Sequence, residues 1–194
     1  MSFGNNNYHE LIDCISSALD ARDTYTAGHS KRVSDMARFL AKIMGFSQDD
    51  IECIHIAAHL HDIGKIGIAD SVLLKDGKLT DGEFLQIQKH PQIGADILRC
   101  SSSLSPLANI ILHHHERFDG KGYPSRLKNY EIPLGSRIIA ICDSVDAMMS
   151  DRSYRKACTA ECCKEEIRKN EGTMYDPLIA EIFLDHWNTV TGIA

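Results

Sequence analysis

The sequence predicts an all-α fold, a compact single-domain helical bundle, and three observations carry that prediction. Apolar residues recur at helical spacing in almost every segment. No run alternates apolar and polar residues beside a hairpin turn, so no strand is expected. Apolar residues make up 43% and charged residues 25% of the 194-residue chain, enough to bury one sizeable core and leave little room for a second. The domain is taken as residues 1–194, with residues 1–8 a flexible tail.

The elements follow in chain order. Leu11, Ile12, Ile15, Ala18 and Leu19 mark a first helix. Val33, Met36, Ala37, Leu40 and Met44 mark a second, with Gly45 as its stop. Ser47 opens a third, which carries acids in its first turn and runs to Gly64. Thr80 to Glu83 (TDGE) is a capping-box signature, and a helix is expected from there to His90, with Pro91 opening the next. Ser105-Pro106 opens a helix that carries Ile110, Ile111 and the histidine run. Residues 117–133 are rich in Gly, Pro and turn formers and read as a long loop. Leu134 to Ser150 is strongly apolar and reads as a central helix. Asp176-Pro177 caps and starts a last amphipathic helix through Phe183 and Trp187.

Composition narrows the function classes. No stretch approaches eighteen consecutive apolar residues, so no membrane span is expected. The N-terminus has no basic region followed by an apolar run, so it is not a secretory signal. Seven cysteines without a CxxC pair point to reduced thiols and a cytoplasmic protein. A net charge of −6 supplies no field for a nucleic-acid polymer or an acidic lipid surface. An anionic substrate would need locally placed cations or metals, and the balance does turn basic between Arg117 and Lys156.

The chemistry concentrates at five places: His29; His61-Asp62; His90; the run His113, His114, His115 with Glu116; and Asp143. A mixed imidazole and carboxylate set suits Fe, Mn, Zn or Ni, and no cysteine spacing fits a structural zinc site. His9, His55, His59 and His186 read as surface or satisfied core residues. Asp13, Asp20 and Asp23 read as solvated. Asp146, three residues after Asp143, reads as a support for a ligand rather than a ligand itself. For Glu116, orienting a ligand histidine and forming a loop salt bridge are equally open.

These residues resemble a known family. The HDIGK block, with GHS before it and HP after it, resembles the HD superfamily of metal-dependent phosphohydrolases. The block HHERFDGKGYP is similar to the HD-GYP subfamily, whose members hydrolyse cyclic di-GMP to the linear dinucleotide and sometimes to GMP. The resemblance covers nearly the whole chain and implies an HD-type bundle with extra C-terminal helices and a long GYP loop. It implies that Asp62 of the His61-Asp62 dyad bridges two divalent metals, Fe or Mn, with Zn or Ni possible in purified protein. It implies His29 and Asp143 as ligands on one metal, and His90, His114 and His115 on the other, which leaves His113 to packing or solvent. Tyr25 stands where some members carry a glutamate for a third metal, so two are expected. Lys65 matches a lysine that contacts the scissile phosphate, and Arg152 and Arg155 match positions that bind the other phosphate or a guanine. Ser153 replaces the usual proline between those arginines and loosens the placement of Arg152. Gly122, Tyr123 and Pro124 are expected to shape the substrate pocket, Gly122 through its backbone freedom, and Lys121 to be tolerated decoration.

Seven ligands from five segments meet only if helices bring them together, as bundles do in di-metal sites. Two metals roughly 3.5–4 Å apart can share a hydroxide that attacks phosphorus in line. The rival implications are hydrolysis of another cyclic dinucleotide such as cyclic GMP-AMP, or a catalytically weak scaffold module. A regulatory protein partner or a homodimer is possible on either account.

Overall fold

The computed structural model describes residues 6–22, 28–151 and 156–192, and among them it is a bundle of helices with no strand. Helix α1 (Asn6–Arg22) is followed by α2 (His29–Ile43) and α3 (Gln48–Leu60). A 3-10 turn (Ile63–Gly67) leads to the short α4 (Asp70–Leu73), then α5 (Asp81–Ile87) and α6 (His90–Arg99). Helix α7 (Ala108–Leu112) precedes the loop, and α8 (Leu134–Met149), α9 (Ala160–Lys169), α10 (Pro177–Asp185) and α11 (Trp187–Thr191) complete the order.

Helix α1 already begins at Asn6, inside the stretch 1–8 expected as a flexible tail. Helix α2 stops where Gly45 adopts φ 79°, a left-handed conformation that costs glycine nothing, and Phe46 N–H bonds back to Ala41 C=O at 3.2 Å. The Ser47 side chain caps α3 by accepting from Asp50 N–H, and Thr80 and Glu83 form the capping box on α5. Asp176 caps α10 by accepting from Leu178 N–H at 3.0 Å.

Four helix ends differ from the sequence reading. Helix α3 ends at Leu60 rather than Gly64, α5 at Ile87 rather than His90, and α7 at Leu112, so the histidine run lies on the turn beyond it. The last helix breaks at His186 into α10 and α11. Helix α9 was not anticipated: only Cys163 and Ile167 of its ten residues are buried, too thin an apolar stripe to signal a helix.

The core forms around α8. Its Ile138, Ile139 and Ile141 are fully buried against Leu40 of α2, Ile56 and Leu60 of α3, Ile111 of α7 and Phe183 of α10. Removing that much apolar surface from water is the main stabilising term of a domain this size. Gly64 shows how tightly the bundle closes: a Cβ there would lie 1.9 Å from the backbone oxygen of His90. Only glycine permits the 63–67 turn to seat against α6. No disulfide joins any of the described cysteines. No described helix is long and apolar enough to cross a membrane.

Candidate metal centre

Five backbone segments deliver their side chains to one buried place. His29 opens α2, His61 and Asp62 follow the end of α3, His90 opens α6, His114 and His115 follow α7, and Asp143 lies within α8. His61, His90 and His114 are each about 1% exposed, and His29 5%. The fold thus brings together all seven side chains expected as ligands.

Three of the histidines share one local device. His61 Nδ1 donates to Ala58 C=O at 2.7 Å, His90 Nδ1 to Ile87 C=O at 2.8 Å, and His114 Nδ1 to Ile111 C=O at 2.5 Å. Each acceptor lies in the last turn of a helix, where carbonyls lack an intrahelical partner. A carbonyl only accepts, so Nδ1 carries the proton and Nε2 presents a lone pair. Those lone pairs point at one another: His90 Nε2 is 3.3 Å from His114 Nε2. Two bare nitrogens at that distance call for a cation between them, which is the physical case for a metal here.

The carboxylates complete two donor groups. Asp62 Oδ1 lies 3.3 Å from His90 Nε2, while Asp62 Oδ2 lies 3.5 Å from His61 Nε2 and 3.8 Å from His29 Nε2. Its two oxygens therefore face two different sets. Asp143 Oδ1 is 3.3 Å from His29 Nε2. Three trios have donor atoms within 4.8 Å of one another: His90, His114 and His115; His29, His61 and Asp143; and His61, Asp62 and His114. Imidazole and carboxylate donors of this kind fit a first-row transition metal.

The electrostatics differ between the halves. Burial would raise the Asp62 pKa, but Lys65 and the surrounding histidines hold it well below the usual carboxylate range. Asp143 is likewise depressed against its burial, by the hydrogen bond from His29. For His29, burial works downward, yet Asp143 and Asp146 outweigh it and raise the pKa to about 10. On the other side burial dominates and keeps His90 and His114 neutral, and His115 falls to about 4.

Surrounding residues fix the donors. Asp146 Oδ2 accepts from His29 Nδ1 at 2.7 Å, and Arg32 Nε donates to Asp146 Oδ1 at 2.5 Å. Asp146 thus orients a donor, as expected. Arg32 escaped the sequence reading, although it stands one helical turn after His29. Lys65 Nζ contacts Asp62 Oδ2 at 2.7 Å.

The loop is strapped to the histidine run. Tyr123 N–H donates to His115 C=O at 3.2 Å, and Ser125 N–H to Glu116 Oε1 at 2.7 Å. Glu116 therefore holds the loop backbone, with His113 Nδ1 a further 3.6 Å from Oε1. Gly122 is required for a reason other than backbone freedom: its φ is not in the left-handed region, but a Cβ would meet Arg117 N at 2.3 Å and Glu116 Cα at 2.5 Å. The Tyr123 ring packs on His115 with centroids 4.9 Å apart, ahead of a cis peptide to Pro124. Beyond it lies a cavity of about 570 Å³ lined by Gln88, Gly120, Arg126 and the run from Lys121 to Pro124. Asp20, expected to be solvated, is partly exposed and adds a hydrogen bond, its Oδ2 accepting from Gly28 N–H at 2.8 Å. Asp23, Tyr25, Arg152, Ser153 and Arg155 lie outside the described residues.

Comparison with known proteins identifies the family and the fold. Residues 13–179 match the HD domain family. The chain is 42% identical to a cyclic di-GMP phosphodiesterase of Thermotoga maritima, over 95% of this chain and 50% of that protein. It is 38% identical to the 3'3'-cGAMP-specific phosphodiesterase 2 of Vibrio cholerae, over 95% of this chain and 36% of that protein. The chain thus spans half or less of the length of these curated relatives. Its fold matches the crystal structure of a V. cholerae cyclic GMP-AMP phosphodiesterase (V-cGAP3) with a TM-score of 0.71 at 20% identity, covering 93% of this chain and 48% of that one. The chain belongs to the HD domain family, with a Gly122-Tyr123-Pro124 loop consistent with its HD-GYP branch.

Proposed function

We propose that this chain is a metal-dependent phosphodiesterase that hydrolyses cyclic di-GMP to the linear dinucleotide, and onward to GMP where the product can rebind. The observation that carries the reading is the Asp62 carboxylate, whose two oxygens face two separate donor groups. That is the arrangement a pair of metals needs. His29, His61, Asp62 and Asp143 would hold one ion, and Asp62, His90, His114 and His115 the other. Iron or manganese fits this set, and affinity order favours zinc or nickel in purified protein. Such ions supply Lewis-acid activation of water and of a phosphodiester at neutral pH.

The chain's own residues do the rest. Lys65 brings a cation to the edge of the donor cluster, where a phosphate oxygen would sit, and Asp62 holds its ammonium in place. Asp146 and Arg32 keep His29 in one orientation. Tyr123 walls the site beside His115, and its raised pKa, set by burial and then by Asp143 and Asp62, keeps the phenol protonated. The adjoining cavity, with Lys121 and Arg126 on its walls, is large enough for the nucleoside part of a dinucleotide. Arg152 and Arg155 would take the second phosphate or a guanine. This chemistry belongs to the cytoplasm, where the seven cysteines stay reduced.

The test is chromatographic. The protein is loaded anaerobically with Mn or Fe(II) and incubated with cyclic di-GMP, beside a His61→Ala, Asp62→Ala variant. Linear dinucleotide or GMP formed only by the unmutated protein is the expected result; binding without product from either metal would point to a scaffold. Three tightly held metals per chain would overturn the two-metal assignment. A second reading, hydrolysis of cyclic GMP-AMP, is favoured by the relative of that specificity at 38% identity. Turnover of both cyclic dinucleotides side by side separates the two.

A further inference from the structure

The last turn of α1 makes contacts that neither the core nor the metal centre requires. Arg22 Nη1 donates to Lys65 C=O at 2.7 Å, and Arg22 Nη2 donates to Ile68 C=O at 2.5 Å. The same guanidinium forks onto Asp70 Oδ1, from Nε at 3.1 Å and Nη2 at 2.7 Å. One side chain thus binds three points of the segment from Lys65 to Asp70. Two residues earlier, Asp20 Oδ2 holds Gly28 N–H, immediately before His29. A narrow crevice between this turn and the site is lined by Leu19, Asp20, Arg22, Ser30, Asp62 and Lys65.

We infer that Arg22 is a positioning residue for the phosphate-contacting lysine, acting as a clasp between α1 and the 63–67 turn. The physical argument starts from the turn itself. It is a single short 3-10 stretch, held by Lys65 N–H to Asp62 C=O at 2.9 Å and Ile68 N–H to Lys65 C=O at 3.0 Å, and 3-10 bonds have poorer geometry than those of an α-helix. Its Lys65 and Ile68 carbonyls face the guanidinium, whose planar fork suits several acceptors at once. Holding the Lys65 carbonyl fixes the backbone from which its side chain reaches Asp62 at 2.7 Å. The pairs are separated by 43 to 48 residues, so the clasp joins distant parts of the chain rather than finishing a local turn. The inference rests on the proposed role of Lys65, but the clasp itself can be measured without any turnover.

The experiment uses four variants: Arg22→Ala, Arg22→Lys, Lys65→Ala and the double Arg22→Ala, Lys65→Ala. Amide hydrogen exchange over residues 63–68, followed by mass spectrometry on metal-free protein, reads the clasp directly. Arg22→Ala is expected to speed exchange there by about tenfold or more, while α8 keeps its protection. Arg22→Lys keeps the charge without the fork and is expected to restore only part of the protection. Turnover of cyclic di-GMP reads the consequence. Arg22→Ala is expected to lower kcat by about ten- to a hundredfold with metal content and KM little changed, since small misplacements of a positioned group have effects of that order. The double variant is expected to be no slower than Lys65→Ala alone, because residues acting as a unit are not additive. Unchanged exchange over 63–68 in Arg22→Ala, or full protection in Arg22→Lys, would overturn the clasp. Losses that multiply in the double variant would overturn its action through Lys65. If the unmutated protein turns over no cyclic dinucleotide, the proposed function fails, and the exchange result alone then decides whether the clasp exists.

Discussion

His61 stands one residue beyond α3, and His55 and His59 lie buried within that same helix. The two groups of buried histidines differ in what each ring faces. In the metal centre Nδ1 of His61, His90 and His114 is tied to a helix-terminal carbonyl, and Nε2 faces carboxylates and other imidazoles. In the second group Ser34 supplies both partners: its carbonyl accepts from His55 Nδ1 at 3.1 Å, and its hydroxyl meets His59 Nε2 at 2.8 Å. The nearest carboxylate, Asp13, is 3.8 Å from His59 Nδ1 and exposed. Burial accordingly lowers the pKa of both rings, that of His59 to about 4, and they remain neutral packing residues. Imidazole density alone does not make a site; carboxylates and shared orientation do.

That contrast can be broken most severely at Asp62. Asp62→Asn keeps the shape and removes the shared charge, so both donor groups lose their common anion. Hydrolysis is expected to fall by about a thousandfold or more, with metal content well below that of the parent protein by mass spectrometry. An active, fully loaded variant would mean that the two clusters differ less than their geometry says. Gly64→Ala attacks the packing that seats His90. With a Cβ 1.9 Å from the His90 oxygen, a loss of about 3 kcal/mol is expected in denaturant titration. Gly82→Ala, which meets nothing within 4 Å, is expected to be neutral or stabilising by up to about 1 kcal/mol.

Smaller changes sharpen the comparison. Asp146→Asn weakens the hold on His29 and is expected to lower metal affinity by about ten- to a hundredfold in competition titrations. Ser34→Ala removes the equivalent support from the second cluster, with an expected cost of about 1–2 kcal/mol in stability and no change in metal affinity. The smallest effect is in pH. Below pH 6.5 the unfolded chain binds a proton at His59 that the folded chain refuses until about pH 4. The stability contributed by the neutral ring is thus complete above 6.5 and declines as the pH falls toward 4. His59→Gln is expected to flatten the dependence of the denaturation midpoint across that window, measured with chelator present.

Much of the site was legible because its residues come in short local blocks. His61-Asp62 with Lys65, His114 with His115, and the Gly122-Tyr123-Pro124 triplet each sit within a few residues of one another. The core helices were legible for a similar reason, through their periodic apolar faces. What stayed hidden depends on distance in the chain. Arg22 acts 43 residues away on Lys65, and Arg32 acts 114 residues away on Asp146, and neither leaves a local pattern. Helix ends were misjudged where histidines follow them, because an imidazole bonded to a terminal carbonyl continues the polar sequence past the last helical residue. Gly122 was identified for the wrong cause: close backbone approach and left-handed conformation both select glycine, and one sequence does not distinguish them.

The bond from Nδ1 to the carbonyl three residues earlier, repeated at His61, His90 and His114, makes a transferable cassette. Its grammar is short: a helix that ends, a carbonyl left over, and a histidine at the third position beyond it. An engineer could write it onto the converging ends of an unrelated bundle, adding one central aspartate, without borrowing the rest of this architecture.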